Sequence, residues 1–255
     1  PETVYVANAG SSDYLSQSGI KEDIRDIFSD LAMPYEMVGE LAAYCREKNI
    51  AFMSTPFSPE DFAAIDPHVE AHKIASYEIS HVHLLRMVGA SRKPLLLSTG
   101  ASGEDDIAYA VDAYHSAGGQ DLCLLQCTAK YPAPLEAMNL RTIPWLKARF
   151  GVAAGLSDHS RDPITAPMAA VALGASVIEK HYTIDNRLPG PDHSFAITPD
   201  ELKQMVRSIR DVERTLGDGV KGVLSCEEEL AKYARRGLQV TRPVARGDVL
   251  KEGDN

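Results

Sequence analysis

The chain has 255 residues, 44% hydrophobic and 24% charged, with a formal net charge of −10. That length can bury a large core and suffices for one α/β barrel. The acidic balance argues against a general nucleic-acid binder, whose phosphate contacts need a basic face. No apolar run nears the roughly 20 residues that span a bilayer, and no signal peptide opens the sequence.

The first 20 residues read as irregular, with turn chemistry at Asn8-Ala9-Gly10-Ser11-Ser12-Asp13. Helices are expected over Lys21–Leu31 and Pro34–Lys48. The second suits a proline in its first turn and repeats Met37, Val38, Leu41 and Cys45 at helical spacing. A rhythm then begins. Strands are expected at Ile50–Thr55, Ala71–Ser76, Pro94–Thr99, Asp121–Thr128, Val152–Ser157 and Ser176–His181. Helices are expected between them at Pro59–Ile65, His81–Ala90, Gly103–Ala117, Leu140–Phe150 and Asp162–Leu173. Pro199–Leu216 is a further long amphipathic helix.

Strand and helix alternating with short connections mean a parallel sheet with helices outside. A (β/α)8 barrel is favoured over an open sheet because polar residues gather at the carboxyl end of nearly every strand, where barrel enzymes place their sites. No GxGxxG turn opens a helix, so a dinucleotide-binding sheet is disfavoured. Six units are two short of a closed barrel. The expectation is a barrel lacking its first two strand-helix units, about 50 residues. The barrel is placed at residues 1–217, a linker at 218–233, and the start of a second small domain at 234–255, with β-like segments at 234–240 and 246–250.

The four cysteines Cys45, Cys123, Cys127 and Cys226 form no CxxC pair. Cys123 and Cys127 fall on one expected strand about 13 Å apart, too far for a disulfide. They read as structural thiols of a cytoplasmic protein.

The strand ends carry the chemistry. Lys73, with the hydroxyls of Thr55, Ser76, Ser98 and Ser157, makes a cradle for a phosphate and a carboxylate: the ammonium supplies compact charge and the hydroxyls directed hydrogen bonds. Any one hydroxyl alone reads as a strand-end or capping residue, but four at one end of a barrel form a set. His159 and His181 each close a short apolar run, and on neighbouring parallel strands they emerge at the same end of the sheet. Two neutral imidazoles suit Mn²⁺, Zn²⁺ or Fe²⁺; satisfied hydrogen-bonding histidines are the competing reading. Glu78, just past Lys73, is either an ion-pair partner or a group that handles protons or a sugar hydroxyl. His68, His72, His81, His83 and His115 read as surface residues, and the proline-rich loop 188–193 as a cap over the site or a rigid turn.

The segments STPF, KIASYE, LSTG, CT..YP.P, GLSDH, VALGASVIEKH and LPGPD, in this order, resemble the sialic acid synthase family from about Tyr35 to Leu250. The resemblance implies a (β/α)8 barrel followed by a small antifreeze-protein-like (SAF) domain, in a domain-swapped homodimer. It implies condensation of phosphoenolpyruvate with a 2-acetamido hexose, N-acetylmannosamine by default, into a nine-carbon 2-keto acid and phosphate. By motif, His159 and His181 match two Mn²⁺ ligands, with Mg²⁺ or Co²⁺ as other occupants. Lys73, Thr55, Ser76, Ser98 and Ser157 match groups around phosphoenolpyruvate; Glu78, Tyr131 and Asp192 match contacts to the amino sugar. Glu78 and Lys73 are the catalytic candidates. Ala129 stands where relatives often carry a polar residue, and the family's glutamate, lysine and glutamine of the first two strands have no counterpart here. The other readings are a pseudaminic or legionaminic acid synthase, a metal-dependent hydrolase, and an inactive truncated barrel.

Overall fold

The computed structural model describes residues 29–255, so most of the helix expected at Lys21–Leu31 lies outside the described residues. The chain divides into two compact units, one ending at Leu216 and the other spanning Gly217–Asn255.

The first unit repeats strand and helix. After helices α1 (Tyr35–Glu47) and α2 (Pro59–Ile65) come β1 (His72–Ile74), α3 (Val82–Ser91), β2 (Leu95–Ser98), α4 (Glu104–Ser116), β3 (Leu122–Cys127), α5 (Thr142–Phe150), β4 (Ala153–Asp158), α6 (Thr165–Ala172), β5 (Ile178–Lys180) and α7 (Pro199–Leu216). The five strands form one parallel sheet in the order β1-β2-β3-β4-β5, so every crossover returns to the adjacent position. Local chemistry sets several boundaries: the Ser58 side chain accepts from Asp61 N at the start of α2, followed by proline at the first helical position, and left-handed Gly151 ends α5.

Side chains alternate across the sheet. Leu95, Leu97, Leu122, Leu124, Ala154 and Leu156 face the helices and form the core with Leu84, Leu85, Val88, Ile107, Tyr114 and Ile143. The opposite face carries Lys73, Ser98, Cys127, Ser157 and Glu179. That face is concave. Four strand spacings of about 4.8 Å would put β1 and β5 about 19 Å apart in a flat sheet, a gap that lysine and glutamate cannot bridge. Yet Lys73 Nζ on β1 lies 3.5 Å from Glu179 Oε2 on β5. The sheet therefore curls as part of a barrel wall. Gly155 is needed where β4 meets its neighbours: a Cβ there would lie 2.5 Å from Val177 O and 2.7 Å from Leu125 Cδ2.

Three expectations need correction. Ile50–Thr55 is not a strand; it has no ladder to β1, and Ile50 is exposed. An apolar run becomes a strand only where a neighbour takes its backbone groups. The segments 234–240 and 246–250 contain no strand either. The second unit holds only a short 3-10 turn and helix α8 (Glu228–Tyr233), which falls in the stretch read as linker. Nearly all its residues are exposed, and its tail is tied by Arg242 to Asp254 at 3.0 Å and by Thr241 N donating to Asn255 O. Lastly, His72 is not a surface residue. It is fully buried, stacked on Phe62 with ring centroids 5.0 Å apart, and its Nε2 meets Asp66 Oδ1 at 2.9 Å. It lies on the helix side of β1, which the alternation with inward-facing Lys73 requires.

Among the described residues, no helix is long and apolar enough to cross a membrane.

Candidate active site

Strand register assembles the site. Cys127 of β3 pairs with Ser157 of β4, and Ser157 with Glu179 of β5, so three polar side chains form one row near the carboxyl ends of the strands. The Ser157 hydroxyl donates to Glu179 Oε1 at 2.7 Å. The other oxygen of Glu179 faces Lys73 Nζ, which also donates to Ile74 O at 2.9 Å. The Lys73 side chain is 7% exposed and that of Glu179 40%. Burial pulls the Lys73 ammonium below the ordinary lysine value, against an upward pull from Glu179. The lysine thus lies under the surface of the site, and its carboxylate partner is reached by water.

Next to Lys73 is a neutral cluster. The Ser76 hydroxyl accepts Gly100 N–H at 2.9 Å and lies 3.4 Å from Cys127 Sγ. A Cβ on Gly100 would come within 2.9 Å of both Ser76 Oγ and Cys127 Sγ, so only glycine lets the loop after β2 approach this closely. Burial raises the Cys127 thiol against the lowering effect of Ser76, Ser157 and Lys73, which keeps it protonated. Ser98 is 2% exposed, and its hydroxyl has no hydrogen-bond partner among the described residues. A buried hydroxyl left this way is costly unless something else meets it.

One residue past β4 and β5 stand His159 and His181. Their ring centroids are 5.3 Å apart with an interplanar angle of 72°. Each Nδ1 is engaged. That of His159 is 2.8 Å from Thr128 O; a carbonyl only accepts, so Nδ1 carries the proton and Nε2 keeps its lone pair. Nδ1 of His181 faces Asp192 Oδ2 at 3.3 Å, an ion-pair contact that favours a proton on that nitrogen. Burial is the main cause that pulls His159 below the ordinary histidine value and keeps it neutral. Tyr131 stacks on His159 at 4.1 Å between centroids and meets His181 edge-on at 5.7 Å. Burial foremost, then Tyr77, drives the Tyr131 phenol far upward, so it stays a hydrogen-bonding group.

The centroid separation of this pair is compatible with a shared cation. Two imidazoles bound to one ion at about 2.1 Å, at an angle of about 90–110°, keep centroids roughly 4.5–5.5 Å apart. Among the described residues no group of three or more His, Cys, Asp or Glu could hold a metal. Water or substrate oxygens would complete the shell.

The structure thus brings together Lys73, Ser76 and Ser157 on one side, and His159, His181, Tyr131 and Asp192 on the other. No hydrogen bond or ion pair ties Thr55 or Glu78 to either group among the described residues. Thr55 is half-buried in the segment that forms no strand. Glu78 is half-buried beyond β1, its carboxyl raised by burial against a lowering by His81. Glu179 and Cys127 join the site without having been singled out from the sequence. The signal was there: residues two apart share a face, so Glu179 had to point with His181 and Ser157 with His159.

A family model described as the NeuB family matches residues 1–221. The chain is 40% identical to the spore coat polysaccharide biosynthesis protein SpsE of Bacillus subtilis, over 94% of this chain and 68% of that protein. It is 37% identical to the N,N'-diacetyllegionaminic acid synthase of Campylobacter jejuni, over 84% of this chain and 65% of that protein. Among solved structures, the N-acetylneuraminic acid synthetase of Leptospira borgpetersenii superposes with a TM-score of 0.78 at 29% identity, covering 88% of this chain and 80% of that one. The chain spans about two thirds of the length of these curated relatives.

Proposed function

We propose, because this chain belongs to the NeuB family, that its barrel carries the condensing site of a nonulosonic acid synthase. The reaction joins phosphoenolpyruvate to an N-acetyl hexosamine-type aldose, N-acetylmannosamine by default. Carbon 3 of phosphoenolpyruvate attacks the aldehyde carbon, water adds at carbon 2, and phosphate leaves by C–O cleavage. The observation that carries this reading is the pair of imidazoles, each with Nδ1 engaged and 5.3 Å apart, at the same sheet end as buried Lys73.

His159 and His181 would hold a divalent cation, Mn²⁺ first, with Mg²⁺ or Co²⁺ as alternatives. When bound, such an ion supplies Lewis-acid polarisation of the aldehyde oxygen. Lys73 supplies the positive charge for the three-carbon anion, and Ser76, Ser98, Ser157 and Thr55 its directed hydrogen bonds. Ser98 suits that role because its buried hydroxyl lacks a partner among the described residues. Glu179 holds Lys73 and Ser157 in mutual orientation until the anion arrives. Glu78, Tyr131 and Asp192 take the sugar, and Asp192 also faces Nδ1 of His181. Orientation of both reactants on one rim replaces a bimolecular encounter. The same reading expects a cytoplasmic homodimer. The legionaminic acid relative keeps a 2,4-diacetamido aldose as the second reading.

The test is phosphate release from phosphoenolpyruvate with Mn²⁺. Release only when N-acetylmannosamine is also present supports the proposal. Faster release with a 2,4-diacetamido aldose selects the second reading. Release without any sugar makes the protein a hydrolase and overturns both.

A further inference from the structure

On the helix side of the sheet, directly behind the histidines, lies a second lysine–carboxylate pair that touches no part of the substrate site. Asp158 ends β4 and Lys180 ends β5, and the two are cross-strand partners in the last paired row. Their side chains are 0% and 3% exposed, and Lys180 Nζ is 2.7 Å from Asp158 Oδ2. The ammonium is further surrounded by Ser160 O, Ser160 Oγ at 3.2 Å and Asp162 O at 3.0 Å. Asp158 uses its other oxygen, Oδ1, to accept Ser160 N–H at 2.8 Å. Hence one cation on β5 grips the chain both just before and just after His159.

Sequence position gives this its meaning. Asp158 precedes His159, and Lys180 precedes His181. Because neighbours on a strand point to opposite faces, a contact on the helix side fixes where the next side chain emerges on the site side. His181 is held from its other flank as well, its carbonyl accepting Ile197 N–H at 2.9 Å. The pair is neutral as a unit, so it leaves the charge presented to a cation unchanged.

We infer that Asp158 and Lys180 are positioning residues: their buried pair sets the separation of His159 and His181 and so the affinity of the cation site. The inference rests on the metal reading above. Groups that hydrogen-bond metal ligands directly typically change metal affinity by about 10–100-fold when altered; a pair acting through the backbone is expected at the lower end of that range.

The experiment measures Mn²⁺ binding by electron paramagnetic resonance of the free ion. It uses the wild-type protein, His159→Ala, the double variant Asp158→Leu with Lys180→Met, and Lys180→Met alone, with folding checked by circular dichroism. The double variant exchanges one neutral pair for another and suits an apolar interior. It should bind Mn²⁺ about tenfold or more weakly while remaining folded. Lys180→Met alone leaves the Asp158 negative charge beside the site, which by electrostatics alone would tighten the cation; weaker binding there supports positioning. Wild-type affinity in a folded double variant overturns the inference and leaves the metal reading standing. Failure of the wild type to bind, or full binding by His159→Ala, overturns the metal reading and the inference with it.

Discussion

Two lysine–carboxylate pairs reach across the same sheet to β5, one on each face, and they are built differently. On the helix face, the side chains of Lys180 and Asp158 are both buried, 2.7 Å apart, and Ser160 O, Ser160 Oγ and Asp162 O also accept from the ammonium. On the concave face, Lys73 is buried, but its partner Glu179 is 40% exposed, 3.5 Å away and shared with Ser157. A pair closed on all sides has no capacity left for a ligand. A buried ammonium with one loose, wetted partner does, because an incoming anion can replace that contact at little cost. On the proposed reading, the comparison separates a lysine that shapes the site from a lysine that serves it.

The largest effect should come from cutting the closed pair. Lys180→Met leaves Asp158 charged, buried and uncompensated, and should lower unfolding free energy by about 3–5 kcal/mol in urea titration. The matching change on the other face, Lys73→Met, should leave stability within about 1 kcal/mol, since water already screens Glu179. It should nonetheless cut phosphate release about 10²-fold or more, the scale of removing one charge-stabilising donor. Equal stability losses in the two variants would erase the distinction. The smallest effect should come from the exposed pair Arg149–Glu104, with side chains 51% and 47% exposed. Arg149→Ala should cost under about 1 kcal/mol, and less still at high salt.

All five strands of the sheet were legible in the sequence, the edge strands His72–Ile74 and Ile178–Lys180 included, each to within two residues at either end. The runs around Leu95–Ser98, Leu122–Cys127 and Ala153–Asp158 are apolar, short and bounded by turns, and each was placed within a residue or two at either end. Helices α2 and α7 were placed at Pro59–Ile65 and Pro199–Leu216, where Ser58-Pro59 and Pro199 punctuate the chain. Ile50–Thr55 and 234–240 have the same texture but no ladder partner among the described residues, and composition does not reveal partners. For the site, strand-end position was enough to gather Lys73, Ser76, Ser157, His159 and His181. It missed Glu179, Asp158 and Lys180 because charged residues beside a histidine look like solvated flanks until alternation assigns each to a face. His72 was misread for the same reason, beside a lysine that points the other way.

The central claim is that His159 and His181 grip one cation on the rim that Lys73 serves. Crystals of the protein soaked in Mn²⁺, with diffraction data collected at the manganese edge, would test it most directly. The account predicts one anomalous peak about 2.0–2.3 Å from Nε2 of both rings, with Nδ1 of each still on Thr128 O and Asp192. A peak bound by one histidine alone, or none between the rings at saturating Mn²⁺, would contradict it.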